Sequence, residues 1–324
     1  LNKKGYPMSA TAEYTTALSG AVQVPDSGGA RFRMLGPDAR DYLHRMASND
    51  FLSLTPGQGA RGCILEIDGR LIADFRAWIL DEETILVETS SETLAPLMTA
   101  LEKYIIMERL ELEDISSEQD RTTVLGPGAA GCVSEVLAQD VNGISEWHCV
   151  VADPLVVAGV ALGQVSGMDI YSPVDETSEL RDALKRAGAM DGGNDTLEIL
   201  RVEAGEPAWG AELTNRTIPL EANLVGKAVS FAKGCYPGQE IIARIHSRGQ
   251  PAKQLRGIRL EGNVVPAPGN AVLHDGTDIG IITSAVNSPR FGVIALAYLD
   301  KNHLDPDQPV TAGGVSGVTS LLPF

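Results

Sequence analysis

Four short stretches of this 324-residue chain carry side chains able to do chemistry. In KGCYPGQE, residues 233–240, Cys235 follows Lys233 and Gly234 and precedes Tyr236, a Pro-Gly turn, Gln239 and Glu240. A thiol in a turn can act as a nucleophile or a soft ligand. Lys233 would favour its thiolate and Glu240 would oppose it, while Pro237-Gly238 specifies a tight turn. A small packing cysteine fits the same residues equally well. In GRLIADFRAWIL, Asp74 interrupts an apolar, strand-like run. A carboxylate there needs a partner or takes up protons more readily, which suits proton transfer or the gripping of a ligand amine; a strand-end Asp in water is the simpler reading of these residues alone. In ALGQVSGMDIYSP, Asp169 follows a small-residue turn and could hold a planar, guanidine-like ligand edge through two hydrogen bonds, or simply face solvent. In LRVEAGEPAWGAEL, Arg201 and Glu203 share a face if the segment is a strand. Gly205, Pro207 and Gly210 then force a loop that presents Trp209. That arrangement offers a fork donor, an acceptor and an aromatic plate, or else a structural ion pair beside a core tryptophan.

The elements that must position these groups are partly legible. The spacing of Ala39, Tyr42, Leu43 and Met46 predicts a helix over 37–47, with Pro37 suited to its first turn. A hairpin is expected over 76–88, RAWIL-DEE-TILVE. Leu94, Leu97, Met98 and Leu101 predict a second helix, and TSELRDALKRAG a third, capped by Thr177 and stopped by Gly188. RMLGPDARDYL at 33–43 echoes TVLGPGAAGCV at 123–133. Each reads as a strand that ends in Leu-Gly-Pro and turns into a helix, so a pseudo-duplicated α+β body is one reading and the chance recurrence of Gly-Pro at strand ends the other. Beyond residue 250, short apolar runs alternate with Gly, Pro, Asn and Asp, as in a small antiparallel β-barrel or sandwich, all-β and separately packed.

With 44% hydrophobic residues the chain can build a sizeable core, and its length favours two domains. A formal net charge of −17 argues against general binding of nucleic acid or anionic membrane. Locally the balance inverts: Lys233, Arg244, Arg248, Lys253, Arg256 and Arg259 face only Glu240, a segment that could meet an anionic partner or be a solvated linker. The four cysteines, Cys63, Cys132, Cys149 and Cys235, form no C-x-x-C pair, and the five histidines are scattered, so neither a disulfide framework nor a metal site is expected. Cys63 and Cys132 lie in contexts suited to burial. That cysteine-poor composition makes a reducing cytoplasm the expected compartment; the N-terminal stretch lacks the apolar core of a secretory leader, and no apolar run is long enough to span a bilayer.

Taken in order, the four stretches, with LGPDARDYLHRMASNDF ahead of them and the C-terminal β segment behind, resemble the glycine-cleavage T-protein (aminomethyltransferase) superfamily over the whole chain. KGCYPGQEIIAR narrows this: it is similar to the signature of the YgfZ-type branch, tetrahydrofolate-dependent proteins that assist iron–sulfur cluster assembly or repair. The resemblance implies an α+β cloverleaf of two intertwined α/β subdomains around a central folate hole (1–250), followed by an antiparallel β-barrel (251–324). It implies tetrahydrofolate or a one-carbon derivative as cofactor, and iron–sulfur client or assembly proteins as partners. Asp74 falls where the family has its functional aspartate near folate N10, with Ala73 in place of the family's preceding acid. Asp169 falls where the family grips the pterin with a glutamate, one methylene longer. Arg201 matches the family's R-x-E-x-G string, and Trp209 follows it. Cys235 becomes a functional thiol at the rim of the folate site, within the motif Lys233, Gly234, Tyr236, Gly238, Gln239 and Glu240. ALGQVSG stands where the T-protein has GYTGEDG, without its tyrosine. The function implied is folate binding in the service of iron–sulfur assembly. An aminomethyltransferase and a non-catalytic scaffold that recognises a client protein are the alternatives.

Overall fold

The computed structural model describes residues 8–26 and 28–324. Helix α1 (Met8–Ser19) and strand β1 (Val22–Pro25) open the chain. A first unit follows: β2 (Gly29–Leu35), α2 (Ala39–Met46), β3 (Gly59–Leu65), β4 (Leu71–Ile79), β5 (Thr84–Ser90), α3 (Ser91–Glu102) and β6 (Glu111–Asp114). A second comprises β7 (Gln119–Leu125), α4 (Ala129–Leu137), β8 (Cys149–Ala152), β9 (Leu155–Leu162), β10 (Val165–Pro173), α5 (Thr177–Arg186), β11 (Met190–Asp191) and α6 (Asn194–Ala204). After a long irregular stretch come α7 (Gln239–Arg248) and strands β12 (Lys253–Leu260), β13 (Ala271–His274), β14 (Thr277–Ser288), β15 (Gly292–Asp300), β16 (Pro309–Ala312) and β17 (Val315–Ser320).

The first sheet runs β3-β4-β5-β2-β6, the second β11-β1-β7-β10-β9-β8, and β12–β17 close into a six-stranded antiparallel barrel. Because β1 pairs with β7 and β11 of the second sheet, the chain crosses into the first unit and returns, which interlaces the two. The Leu-Gly-Pro echo is structural: β2 leads into α2 and β7 into α4, one such unit in each sheet.

The expected helix at 37–47 is α2, and it buries Ala39, Tyr42, Leu43 and Met46 as its periodicity requires. The hairpin is β4–β5. Ser90 caps α3 by accepting from the Glu92 amide. Thr177 is not the cap of α5 but its first residue, and its hydroxyl bonds Ser172 and the Pro173 carbonyl.

On β4, Ala73, Phe75, Ala77 and Ile79 point into the core shared with α2 and α3. By the two-residue period of a strand, Asp74 and Arg76 point the other way, to the polar face. The barrel has its own interior around Ile258, Ile282, Ala297 and Val310. It is not packed wholly apart: Leu255, Leu296 and Tyr298 on its outer side join Tyr14 of α1 and Ile199 and Val202 of α6 in another cluster.

The segment around Arg201 is a correction. It is helix α6, not a strand, and ends at Gly205 in the left-handed region, φ +67°. Leu-Arg-Val-Glu alternates like a strand, but Thr196, Ile199, Leu200 and Val202 are the buried positions and the preceding Asn-Asp pair starts a helix. Arg201 and Glu203 therefore diverge. Glu203 accepts from Tyr14 at 3.0 Å and from Ser288, tying α6 to α1 and the barrel. His274 and His303 are not scattered either; their rings lie 5.2 Å apart. No helix among the described residues is long and apolar enough to cross a membrane.

Candidate functional site

Directly opposed residues in antiparallel strands share a face. The pairs Arg61 with Arg76, Cys63 with Asp74, and Arg76 with Glu88 therefore place all five side chains on one face of β3, β4 and β5. The pairs Thr123 with Asp169 and Arg121 with Tyr171 do the same on β7 and β10. The two faces meet. Arg76 lies 2.7 Å from Asp169 and also binds Glu88. Arg121 donates to Glu88 at 2.7 Å and to Asp26 at 3.0 Å, and Tyr171 donates its hydroxyl to Glu88 at 3.0 Å. Arg31 completes the ring by donating to Asp26 at 2.5 Å.

Three carboxylates (Asp26, Glu88, Asp169) thus meet three guanidiniums (Arg31, Arg76, Arg121) between the sheets. Burial alone would raise the Glu88 carboxyl, but Arg121, Arg76 and Arg31 outweigh it and hold it at about 2. Burial would lower Arg76, yet Glu88 and Asp169 push it well above its ordinary value. Such buried ionic networks are seldom more stabilising than well-packed apolar residues, and clusters of perturbed charged groups of this kind make the face a candidate functional site.

Asp74 continues this face. Arg61 donates to its Oδ2 at 2.7 Å and to Glu206 at 3.1 Å, and Lys227 binds Glu206 from the outside. Asp74 Oδ1 makes no hydrogen bond among the described residues. Two apolar clusters bound the charged belt. One holds Trp78, Leu86, Cys149 and Tyr171; the other holds Cys63, Leu65, Leu71 and Tyr236, with Trp209 packed against it. Each contains an orphaned polar atom: Trp78 Nε1 and the Tyr236 hydroxyl are buried without a hydrogen-bond partner in the described structure.

The sequence-predicted residues separate into groups. Asp74 and Asp169 do face the same space. Asp169 is only 1% exposed, with Oδ1 taken by the Thr123 hydroxyl at 2.5 Å and Oδ2 by Arg76, so its carboxylate is already engaged within the protein. Arg201 is not brought to them. It binds Glu198 through two nitrogens, Glu212 at 2.9 Å, Ser284 at 2.7 Å and the Glu206 carbonyl at 2.6 Å, which joins α6 to the following loop and to β14. Among the described residues its hydrogen bonds reach the site through the backbone of Glu206. Trp209, expected as an aromatic plate beside Arg201 and Glu203, is partly buried against the cluster at the Cys63 end instead.

In the motif, Cys235 is exposed and the other three cysteines are buried. Tyr236 is buried beside Cys63, and the backbone of Gly238 rests on the β3–β4 turn at Glu66. Gln239 opens α7, and Glu240 pairs with Arg244 in solvent. The Lys233 ammonium binds the His44 and Ala47 carbonyls at the end of α2 and lies 5.0 Å from the Tyr236 ring centre. Burial lowers it to about 8. Gly234 has open space around it. Nor does the basic segment form a continuous patch. Arg256 binds backbone carbonyls and Gln254, Lys253 lies over Tyr298, and Arg259 sits over Phe291 and Phe324; the side chain of Arg248 lies outside the described residues.

Sequence reasoning missed Arg61, Arg76, Glu88, Arg121 and Glu206. The signal available was charge at every second position of otherwise apolar strands, Asp74 and Arg76 above all.

The GCVT N-terminal domain model matches residues 6–233, and the glycine cleavage T-protein C-terminal barrel domain model matches 253–317. The chain belongs to the glycine cleavage T-protein family. Among its relatives, a chloroplastic protein of Arabidopsis thaliana named as a transferase is 28% identical over 94% of this chain and 72% of its own length. An aminomethyltransferase of Streptomyces avermitilis is 29% identical over 84% of this chain and 76% of its own. The aminomethyltransferase T of the Bartonella henselae glycine cleavage system has the same fold, with a TM-score of 0.89 and 18% identity over 98% of this chain and 90% of that one. In this T-protein-family chain the charged belt thus lies within the N-terminal family domain, ahead of the barrel.

Proposed function

We propose that this protein binds tetrahydrofolate or a one-carbon derivative between the β3–β5 and β7–β10 faces and assists iron–sulfur cluster assembly or repair through Cys235, as a YgfZ-type member of the family. The observation that carries the reading is the placement of the motif. Cys235 is the exposed thiol, and the next residue, Tyr236, is wedged beside Cys63, the cross-strand partner of Asp74. A thiol on the surface is thereby linked through one buried ring to the polar face. The residues there fit a folate. Asp74 offers a free acceptor, the flanking apolar clusters suit an aromatic ring system, and Trp78 Nε1 and the Tyr236 hydroxyl are buried polar atoms that still lack partners. When bound, the folate would supply one-carbon chemistry. Asp74 would accept a hydrogen bond from a ligand nitrogen.

A second reading, aminomethyl transfer, is favoured by the curated relatives named aminomethyltransferase at 25–29% identity. Two assays separate them. Purified protein is tested for glycine-cleavage turnover with a lipoylated carrier. A deletion strain is scored for iron–sulfur enzyme activity after complementation with wild type or Cys235→Ser. The proposal expects no turnover in the first and rescue only by wild type in the second. Turnover together with full rescue by the serine variant would move the assignment to aminomethyltransferase.

A further inference from the structure

We infer that Arg76 is a specificity-determining residue of the site: its free Nη1 end reads a neutral carbonyl oxygen on the ligand, the 4-oxo group of a reduced pterin, an inference that rests on the folate reading above. Arg76 Nε donates to Glu88 Oε2, and Nη2 lies between Glu88 and Asp169. The guanidinium is further held over the Trp78 ring, 5.1 Å from its centre. Two edges of the guanidinium and one of its faces are therefore held. Nη1 makes no hydrogen bond among the described residues, and the side chain is 25% exposed, whereas Glu88 and Asp169 beneath it are 5% and 2% exposed. One end of a pre-oriented fork donor is thus left without a protein partner among the described residues, as recognition with little reorganisation requires.

Charge decides what it takes. The three guanidiniums of Arg31, Arg76 and Arg121 are already matched by Asp26, Glu88 and Asp169, with Asp120 a further 4.0 Å from Arg31, so the network has no surplus positive charge: a buried anionic ligand group would arrive uncompensated, whereas a neutral carbonyl would not. Position decides which carbonyl. Arg76 and Asp74 are two residues apart on the same face of β4, so their backbone origins are separated by roughly 6.5 Å. One planar ligand can then offer a donor to Asp74 Oδ1 and an acceptor to Arg76 Nη1. The arrangement also assigns Asp169 a different part from a direct ligand contact. It holds Arg76, whose planar guanidinium already occupies its carboxylate.

The test is calorimetric binding of tetrahydrofolate and of its 4-amino counterpart, reduced aminopterin, in which the acceptor oxygen is replaced by a donor. Wild type is expected to bind the 4-oxo compound at least about ten-fold more tightly. Arg76→Gln, whose amide can serve either group, is expected to bring the ratio below about three-fold while still binding. Equal wild-type affinity for the two compounds overturns the role of Arg76 and leaves folate binding standing, as does undiminished discrimination by folded Arg76→Gln. Failure of both compounds to bind wild type removes the folate reading itself. Should Arg76→Gln not fold, Arg76→Met, which keeps the length of the side chain but has no donor, takes its place, and retained discrimination there is equally fatal.

Discussion

Gly238 rests against the carbonyl oxygen of Glu66: its φ is +81°, and a Cβ built there would come within 2.4 Å of that oxygen. The motif around Cys235 is thereby seated on the turn between β3 and β4, the hairpin that carries Arg61 and Asp74. Gly238→Ala should lose at least ~2 kcal/mol in urea unfolding, through backbone strain and the clash together. Gly234→Ala, four residues earlier and in open space, should stay within ~0.5 kcal/mol of wild type. Equal effects would mean that the motif is not seated this way.

Glu88 is the centre of the buried network. Glu88→Gln leaves the guanidiniums of Arg76 and Arg121 short of a charge partner and should cost ~3–5 kcal/mol. The sign with pH follows from the carboxyl being held at about 2 against an ordinary 4.5. The unfolded chain takes up this proton first, so the contribution is complete above about pH 4.5 and is lost as pH falls toward 2. Urea midpoints measured across that window should fall more steeply for wild type than for Glu88→Gln.

Thiol reactivity should divide the cysteines sharply. Cys63 and Cys149 are pushed up to about 12, by burial first and, for Cys63, by Asp74 as well. Mass-resolved alkylation of the native protein should therefore modify Cys235 first and the buried three only on unfolding. Cys235→Ser should unfold within ~0.5 kcal/mol of wild type, because an exposed thiol contributes little packing. A slow Cys235, or a serine variant that complements fully in cells, would make the motif structural.

Lys233 should behave as an anchor rather than an activator. Its ammonium binds the carbonyls of His44 and Ala47, so Lys233→Met should destabilise the fold by ~1–2 kcal/mol through the lost contacts at the end of α2. The alkylation rate of Cys235 in the folded variant should change by less than about three-fold. A collapse of that rate with stability intact would restore Lys233 as the group that activates the thiol.

Local patterns carried much of this structure. The periodicity of Tyr42, Leu43 and Met46 predicts α2, the DEE turn predicts β4–β5, the repeated Leu-Gly-Pro marks a strand–helix unit in each sheet, and the Gly-rich tail predicts the barrel. The exposure of Cys235 follows from its Pro-Gly turn. What escaped depends on distant parts of the chain. A lone arginine on a strand, such as Arg76, looks solvent-facing until the second sheet brings Asp169 against it. Arg201 looked like a pocket residue because its segment alternates like a strand, yet the helix turns it toward Glu212 and Ser284. Lys233 looked like a partner for Cys235 because they are neighbours in sequence, while the fold directs its amine to α2.

The most direct test of folate binding at this face is isothermal titration of the purified protein with tetrahydrofolate, for wild type and Asp74→Asn. Wild type should bind one equivalent. Asp74→Asn, nearly isosteric and still able to face Arg61, should bind at least about ten-fold more weakly through loss of a charge-assisted hydrogen bond. Absence of saturable binding by wild type, or an affinity that the substitution leaves unchanged, would contradict the placement of folate between the two sheets.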